Sequence, residues 1–167
     1  LHGSSAASDV YKRQLSNKLD YVFLVEGYMD VIGLYKNEIQ NVVANLGTAL
    51  TSKQVSILEQ FFSNIIICFD GDDSGYKAAL RAAENSIIEL KPEKKIFFLF
   101  LPDKHDPDSY VNKFGKKKFL EFSNKNSVEI HKFIYNHYYN EVDENPSSKA
   151  IFEKKLKSIA GSIRDNY

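Results

Sequence analysis

Four short apolar runs punctuate the chain: Tyr21–Val25, Asn41–Ala44, Ile65–Phe69 and Ile96–Leu101. Each is continuous rather than alternating, which is the pattern of a strand covered on both faces. The stretches between them repeat at helical spacing. Residues 28–38 place Val31, Ile32 and Tyr35 on one stripe. Thr51-Ser52-Lys53-Gln54 has the form of a capping box and precedes Val55, Leu58 and Phe62. Residues 74–90 are alanine-rich, offer Ala78, Ala82 and Ile88 as inward positions, and are closed by Pro92. Strands alternating with helices predict an α/β fold, a mostly parallel four-stranded sheet flanked by helices.

After Leu101 the pattern changes. Residues 102–108 read as a loop, followed by short helical patterns over 109–114 and 116–123. Ser127 suits a cap for a helix carrying Ile130, Phe133, Ile134 and Tyr138. Asn145-Pro146 suits the start of another, with Ile151, Leu156, Ile159 and Ile163 on its stripe. Residues 1–14 have no periodicity and few large apolar groups, and begin without Met. They read as a leader or cloning-derived tail without order. The expected organisation is that tail, an α/β domain over 15–126, and an all-helical C-terminal subdomain over 127–167 that stops before its pattern ends.

Composition narrows the class. At 167 residues and 43% hydrophobic, the chain can build a real core. No apolar run approaches the roughly 18–20 residues that span a bilayer. The one cysteine, Cys68, lies inside an apolar run, so neither a disulfide framework nor a zinc-ligand spacing is present. A formal net charge of zero argues against binding nucleic acid through bulk positive charge. The clusters Lys116-Lys117-Lys118 and Lys91/Lys94/Lys95 read as solvated faces.

The candidate chemistry is acidic. Glu26 directly follows the first apolar run, Asp70-Gly71-Asp72-Asp73 the third, and Asp106-Pro107-Asp108 comes just after the fourth. In open α/β sheets ligands bind beyond the carboxyl ends of the strands. In extended backbone residues i and i+2 point the same way, so Asp70/Asp72 and Asp106/Asp108 are expected to present paired carboxylates, with Gly71 allowing a tight turn. Five carboxylates brought together would repel and raise one another's pKa, which a divalent cation relieves. An all-oxygen set favours Mg²⁺ or Mn²⁺ over Zn²⁺. The expected site is therefore a metal site of Glu26, Asp70, Asp72, Asp106 and Asp108.

The string Glu26-Gly27-Tyr28-Met29-Asp30, then Leu46-Gly47-Thr48, then Phe69-Asp70-Gly71-Asp72-Asp73-Ser74-Gly75, then Leu101-Pro102 with Asp106-Pro107-Asp108, resembles the Toprim domain of bacterial DNA primase, the DnaG family. The likeness is strong over residues 19–108 and weak beyond. It implies a Toprim, Rossmann-like fold and a nucleotidyltransferase that makes short RNA primers from ribonucleoside triphosphates on single-stranded DNA. It also implies that Glu26, Asp70 and Asp72 are catalytic, and that all five acids hold Mg²⁺, with Mn²⁺ as a substitute. Asp30, Gly47 and Thr48 fall in the motifs beside the site. Asp30 lies one turn into a predicted helix, where an acid also supports the helix dipole, and Gly47 and Thr48 also suit a plain turn.

The same resemblance implies a bacterial cytoplasmic protein acting at the replication fork. The family's N-terminal zinc domain, basic template-binding subdomain and C-terminal helicase-binding domain have no counterpart in this sequence. Zinc and the replicative helicase are therefore expected only through absent domains, and the chain alone is expected to prime weakly or not at all. Two other readings stay open at this level: another Toprim enzyme, nuclease or topoisomerase-like, and a catalytically silent nucleic-acid-binding module.

Overall fold

A computed structural model of the chain describes residues 20–45, 50–88, 90–91, 93–102, 105–140 and 142–163. Leu46-Gly47-Thr48 and the expected tail at 1–14 lie outside the described residues. The strands form where the apolar runs predict. They are β1 (Tyr21–Val25), β2 (Val42–Ala44), β3 (Asn64–Phe69) and β4 (Lys95–Phe100), all mutually parallel. Between them lie α1 (Tyr28–Lys36), α2 (Ser52–Glu59) and α3 (Asp73–Ile87). Beyond β4 come α4 (Pro107–Asn126), β5 (Val128–Glu129), α5 (Ile130–Tyr139) and α6 (Pro146–Ser162). The sheet order is β2-β1-β3-β4-β5.

The fifth strand was not expected. Phe97 and Phe98 leave an open edge on β4, and Val128 and Glu129 pair with them antiparallel before the chain turns helical at Ile130. Ser127 therefore lies before the strand and does not cap α5, whose N-cap is Glu129.

Alternate residues of each strand feed opposite faces. Val22, Leu24, Ile65, Ile67, Phe69, Ile96 and Phe98 pack under α2, α3 and α5. Phe23, Val25, Cys68 and Leu99 pack under α1 and α4. This two-sided burial is why the runs are continuous. Ile130, Phe133 and Ile134 of α5 belong to the first of these cores, with the Phe98 and Phe133 rings 5.0 Å apart. Packing is thus continuous across the boundary expected near Asn126. No residue of α6 is buried. Lys155 on α6 meets Glu84 of α3 at 3.2 Å, and the Tyr138 hydroxyl of α5 donates to the same carboxylate.

Two helices differ from their sequence patterns. On α1 the buried residues are Asp30, Gly33 and Leu34, whereas Ile32 is 41% and Tyr35 50% exposed. The expected stripe of Val31, Ile32 and Tyr35 is rotated because α1 packs on the start of α4 through Gly33. A Cβ on Gly33 would stand 3.0 Å from the Asp108 Cα. Helix α4 breaks at Gly115, whose φ of 80° and ψ of 166° leave two segments, 107–114 and 116–126. These are the two short patterns of the sequence, and glycine adopts that φ without the steric cost a side chain brings. Among the described residues no helix is long and apolar enough to cross a membrane.

Candidate active site

Parallel pairing brings the carboxyl ends of β1, β3 and β4 to one edge of the sheet. Glu26 follows β1 directly and is exposed. Asp70 follows β3 directly and is half-buried. Asp106 stands six residues past β4, as the N-cap of α4.

The helix starts at this edge claim part of the acidic set. Asp72 caps α3, its Oδ1 accepting from the Gly75 N–H at 2.7 Å. Asp106 Oδ1 accepts from the Ser109 N–H at 2.7 Å, while the Ser109 hydroxyl accepts from the Asp106 N–H at 3.1 Å. This is a full capping box. Each cap occupies one carboxylate oxygen and leaves the other for a ligand. Asp30 supplies half a box at α1: its Oδ2 accepts from the Gly27 N–H at 3.1 Å, and Gly27 has no side chain to reciprocate. Its Oδ1 accepts from the Asp108 N–H at 3.3 Å.

The expected pairing of Asp106 with Asp108 is not an extended one. Asp106 is the extended cap, but Asp108 is already inside the first turn of α4. Its carboxylate lies over Gly33 and accepts from the Asn112 amide at 2.7 Å. Gly71 does not adopt a left-handed conformation; among the described glycines only Gly115 does. The glycine that the Asp70–Gly75 turn demands is Gly75, where a Cβ would sit 2.3 Å from the Asp70 carbonyl oxygen. Sequence reasoning gives Gly75 no role beyond its place in the motif and passes over Gly33. The available signal was a glycine inside a helical pattern, which marks a close backbone approach.

The carboxylates that face one another share a field. Glu26, though exposed, has its carboxyl raised from its ordinary value, first by partial desolvation at the sheet edge and then by the charges of Asp70, Asp30 and Asp72. Asp70 is raised by burial, then by Asp106 and Asp72. Asp30 is raised by burial and by Asp106 and Asp70, against the lowering effect of its two backbone donors. The buried Cys68 thiol is pushed far up, mainly by burial and also by Asp30, so it behaves as a core residue.

Among the described residues no lysine, arginine or histidine forms an ion pair with Glu26, Asp30, Asp70, Asp72, Asp106 or Asp108. Nor do any three His, Cys, Asp or Glu side chains among them stand as a preassembled metal cage. A set of hard oxygen donors without a cationic partner, in which Glu26 and Asp70 are raised, fits a divalent cation that takes its remaining ligands from water or substrate. Glu26, Asp70, Asp72 and Asp106 are the residues that could hold it.

The surroundings are less charged with chemistry. His105 shares a hydrogen bond with the Ser109 hydroxyl and packs against Tyr110 and Phe114. Lys116 pairs with Glu38, and Lys117 and Lys118 with Glu121, on open surface. A cleft of about 370 Å³ opens beside Glu26, lined by Asn45, Arg81 and an apolar floor that includes Leu24, Leu50 and Phe69.

A Toprim domain model matches residues 20–100. The DNA primase of Neisseria meningitidis serogroup A is 44% identical over 116 residues, covering 70% of this chain and 20% of that protein. The DNA primase of Legionella pneumophila is 41% identical over 151 residues, covering 87% and 26%. The crystal structure of a DNA primase domain from Pseudomonas aeruginosa superposes with a TM-score of 0.86 at 35% identity, covering 93% of this chain and 49% of that one. A structure of the DnaG primase catalytic domain bound to single-stranded DNA gives 0.85 at 31%, covering 91% and 48%. The chain thus spans 20–26% of these curated relatives and about half of the solved chains. From the carboxylates at the strand ends, the sheet order and these likenesses together, the chain belongs to the Toprim family, in the branch formed by the DnaG-type DNA primases.

Proposed function

We propose that this chain is the cation-binding catalytic part of a DNA primase, an enzyme that joins ribonucleoside triphosphates into short RNA primers on a single-stranded DNA template. The observation that carries the reading is the uncompensated carboxylate set at the ends of β1, β3 and β4. Mg²⁺, or Mn²⁺ in its place, would be held by Glu26, Asp70, Asp72 and Asp106, and would supply charge neutralisation for an incoming triphosphate.

The chain's own residues do the rest. Glu26, exposed and with a raised pKa, is the group suited to take the proton of the attacking 3′-hydroxyl. As the new O3′–phosphorus bond forms, the bond to the departing pyrophosphate breaks. Asp72 and Asp106 point their uncapped oxygens from the starts of α3 and α4, where the helix caps fix them. Arg81, in the cleft beside Glu26, offers a cation for phosphate oxygens.

Single-stranded DNA is the template by analogy with the DnaG catalytic domain solved with it. The proposal places the protein in the bacterial cytoplasm at the replication fork. The helicase contact and the zinc site of such enzymes have no candidate residues in this sequence, and the chain alone is expected to prime weakly.

Calorimetric titration of Mn²⁺ and Mg²⁺ into the chain, and into an Asp70→Asn, Asp72→Asn double variant, tests the core of the reading. We expect saturable binding by the wild type and loss of about a hundredfold in the variant, the upper end of what a disturbed metal shell costs. Equal, weak binding by both proteins would sink the cation site.

A further inference from the structure

A run of hydrogen bonds crosses from the outer surface of α1 to the turn that carries Glu26. Asn37, just past the end of α1, donates from Nδ2 to the Gly33 carbonyl at 2.9 Å and to Asn112 Oδ1 at 3.1 Å. Asn112, on α4, donates from its own Nδ2 to Asp108 Oδ1 at 2.7 Å. The Asp108 N–H donates to Asp30 Oδ1, and the Gly27 N–H donates to Asp30 Oδ2. Gly27 is the neighbour of Glu26. The run has one consistent direction: with the oxygen of Asn112 accepting from Asn37, its nitrogen must face the Asp108 carboxylate, and the reverse would set oxygen against oxygen.

Two features separate this run from ordinary packing. Gly33 makes room for it, since a Cβ there would stand 1.9 Å from Asp108 Oδ1. It also joins the first turns of two helices that follow different strands. Asp30 follows β1 and Asp108 follows β4, 78 positions apart, and Asp106 is two residues from Asp108. The separation between Glu26 and Asp106 therefore depends on it.

We propose that Asp108 and Asn112 are positioning residues for the cation site and not ligands of the cation. They seat Asp30, and through Asp30 the Glu26–Gly27 turn, against the start of α4. This rests on the proposed cation site. Asp30 has each of its oxygens engaged by a backbone N–H and is 9% exposed, so it acts as the keystone of the brace. Asp108 Oδ1 is held by Asn112 and stands over Gly33. The charges that raise Glu26 are those of Asp70, Asp30 and Asp72, and those that raise Asp70 are Asp106 and Asp72; Asp108 is in neither set.

The test uses the whole chain, with Mn²⁺ titration and with hydrogen exchange of the metal-free protein. Asp108→Asn removes the charge but keeps an oxygen to accept from Asn112. Asn112→Ala removes an exposed donor. Asp70→Asn marks the effect of losing a ligand. Relative to wild type we expect Mn²⁺ affinity to fall about tenfold for Asn112→Ala, the low end for a group that orients a ligand, by less than that for Asp108→Asn, which keeps its acceptor, and about a hundredfold for Asp70→Asn. Asn112→Ala is also expected to speed amide exchange over residues 26–30 by about threefold without metal, with the melting temperature moving by less than about 2 °C.

Asp108→Asn as weak as Asp70→Asn, in a wild type that binds Mn²⁺, would make Asp108 a ligand and overturn the brace alone. Unchanged exchange at 26–30 in Asn112→Ala would overturn it as well. A wild type that binds no Mn²⁺ removes the cation site and this proposal with it.

Discussion

A carboxylate at this sheet edge can cap a helix, brace a turn or stay open to a ligand, and its neighbours decide which. Asp72 and Asp106 do the first, Asp30 the second, and Glu26 and Asp70 the third. The open ones carry a cost in the metal-free protein. Asp70 has a folded-state pKa above its unfolded value, so the unfolded chain ionises first as pH rises. Stability from this group is complete at low pH and is lost as pH climbs from the ordinary carboxylate range through the raised value. Glu84 and Asp143 shift the opposite way, so the wild-type profile alone mixes signs. Comparison with Asp70→Asn reads the repulsion within the cluster, since the variant also relieves Glu26 and Asp30. Without divalent cation, the variant is expected to melt about 1–3 °C higher at pH 7. The gain is expected to vanish below about pH 4. Melting curves across that range check it, and a variant that is less stable at neutral pH would contradict the assigned repulsion.

Among the elements, α3 shows how a helix start is fitted to a strand end. Its first turn lies against the Asp70 carbonyl with no room for a side chain at Gly75. The atom in the way is backbone and cannot move aside cheaply. Gly75→Ala is expected to cost about 3 kcal/mol, the upper end of the usual range for overpacking with a backbone shift. In a chain of this size that lowers the melting temperature by roughly 5–12 °C. Gly161, late in α6, has nothing within 4 Å of an added Cβ. Gly161→Ala is therefore expected to stabilise by about 0.5–1 kcal/mol, the intrinsic helix preference. Thermal denaturation of the two variants should move in opposite directions, and a shared sign would refute the close approach at Gly75.

For the molecule as a whole, the question is where the cooperative unit ends. β5 pairs with β4, and Ile130, Phe133 and Ile134 complete the core over the sheet. Helix α6 has no fully buried residue and is attached through half-buried Ile159 on the edge of the core, through Tyr138, Glu84 and Lys155, and through a surface cluster of Tyr135, Tyr139 and Phe152. A chain ended after Asn126 exposes the Phe98 side of the sheet. Losing three large core side chains at about 2–5 kcal/mol each amounts to about the whole usual margin of a domain. That truncation is expected to lose its cooperative transition. A chain ended after Asn140 is expected to keep one, with a melting temperature within about 5 °C of the full chain. Circular dichroism melts of the two truncations decide the matter, and a cooperative melt from the shorter chain would place the boundary at 126 after all.

By itself the sequence determined the four parallel strands, the acids at their ends and the break at Gly115, because each is written in residues close together along the chain. A run such as Ile65–Phe69 declares two-sided burial wherever its neighbours come from, and the residue after a parallel strand must lie at the sheet's carboxyl edge. Only the tertiary structure decided the direction of each carboxylate. Whether Asp108 faces the site or Gly33 depends on how closely α4 approaches α1, a contact between segments far apart in sequence. The exposed face of α1 and the extra strand β5 follow from the same cause: Ile32 looks inward until Gly33 is chosen as the contact, and Val128 looks helical until the β4 edge offers hydrogen bonds. Local pattern specifies the backbone, but a polar side chain settles on whichever donor the packing of distant elements brings within reach.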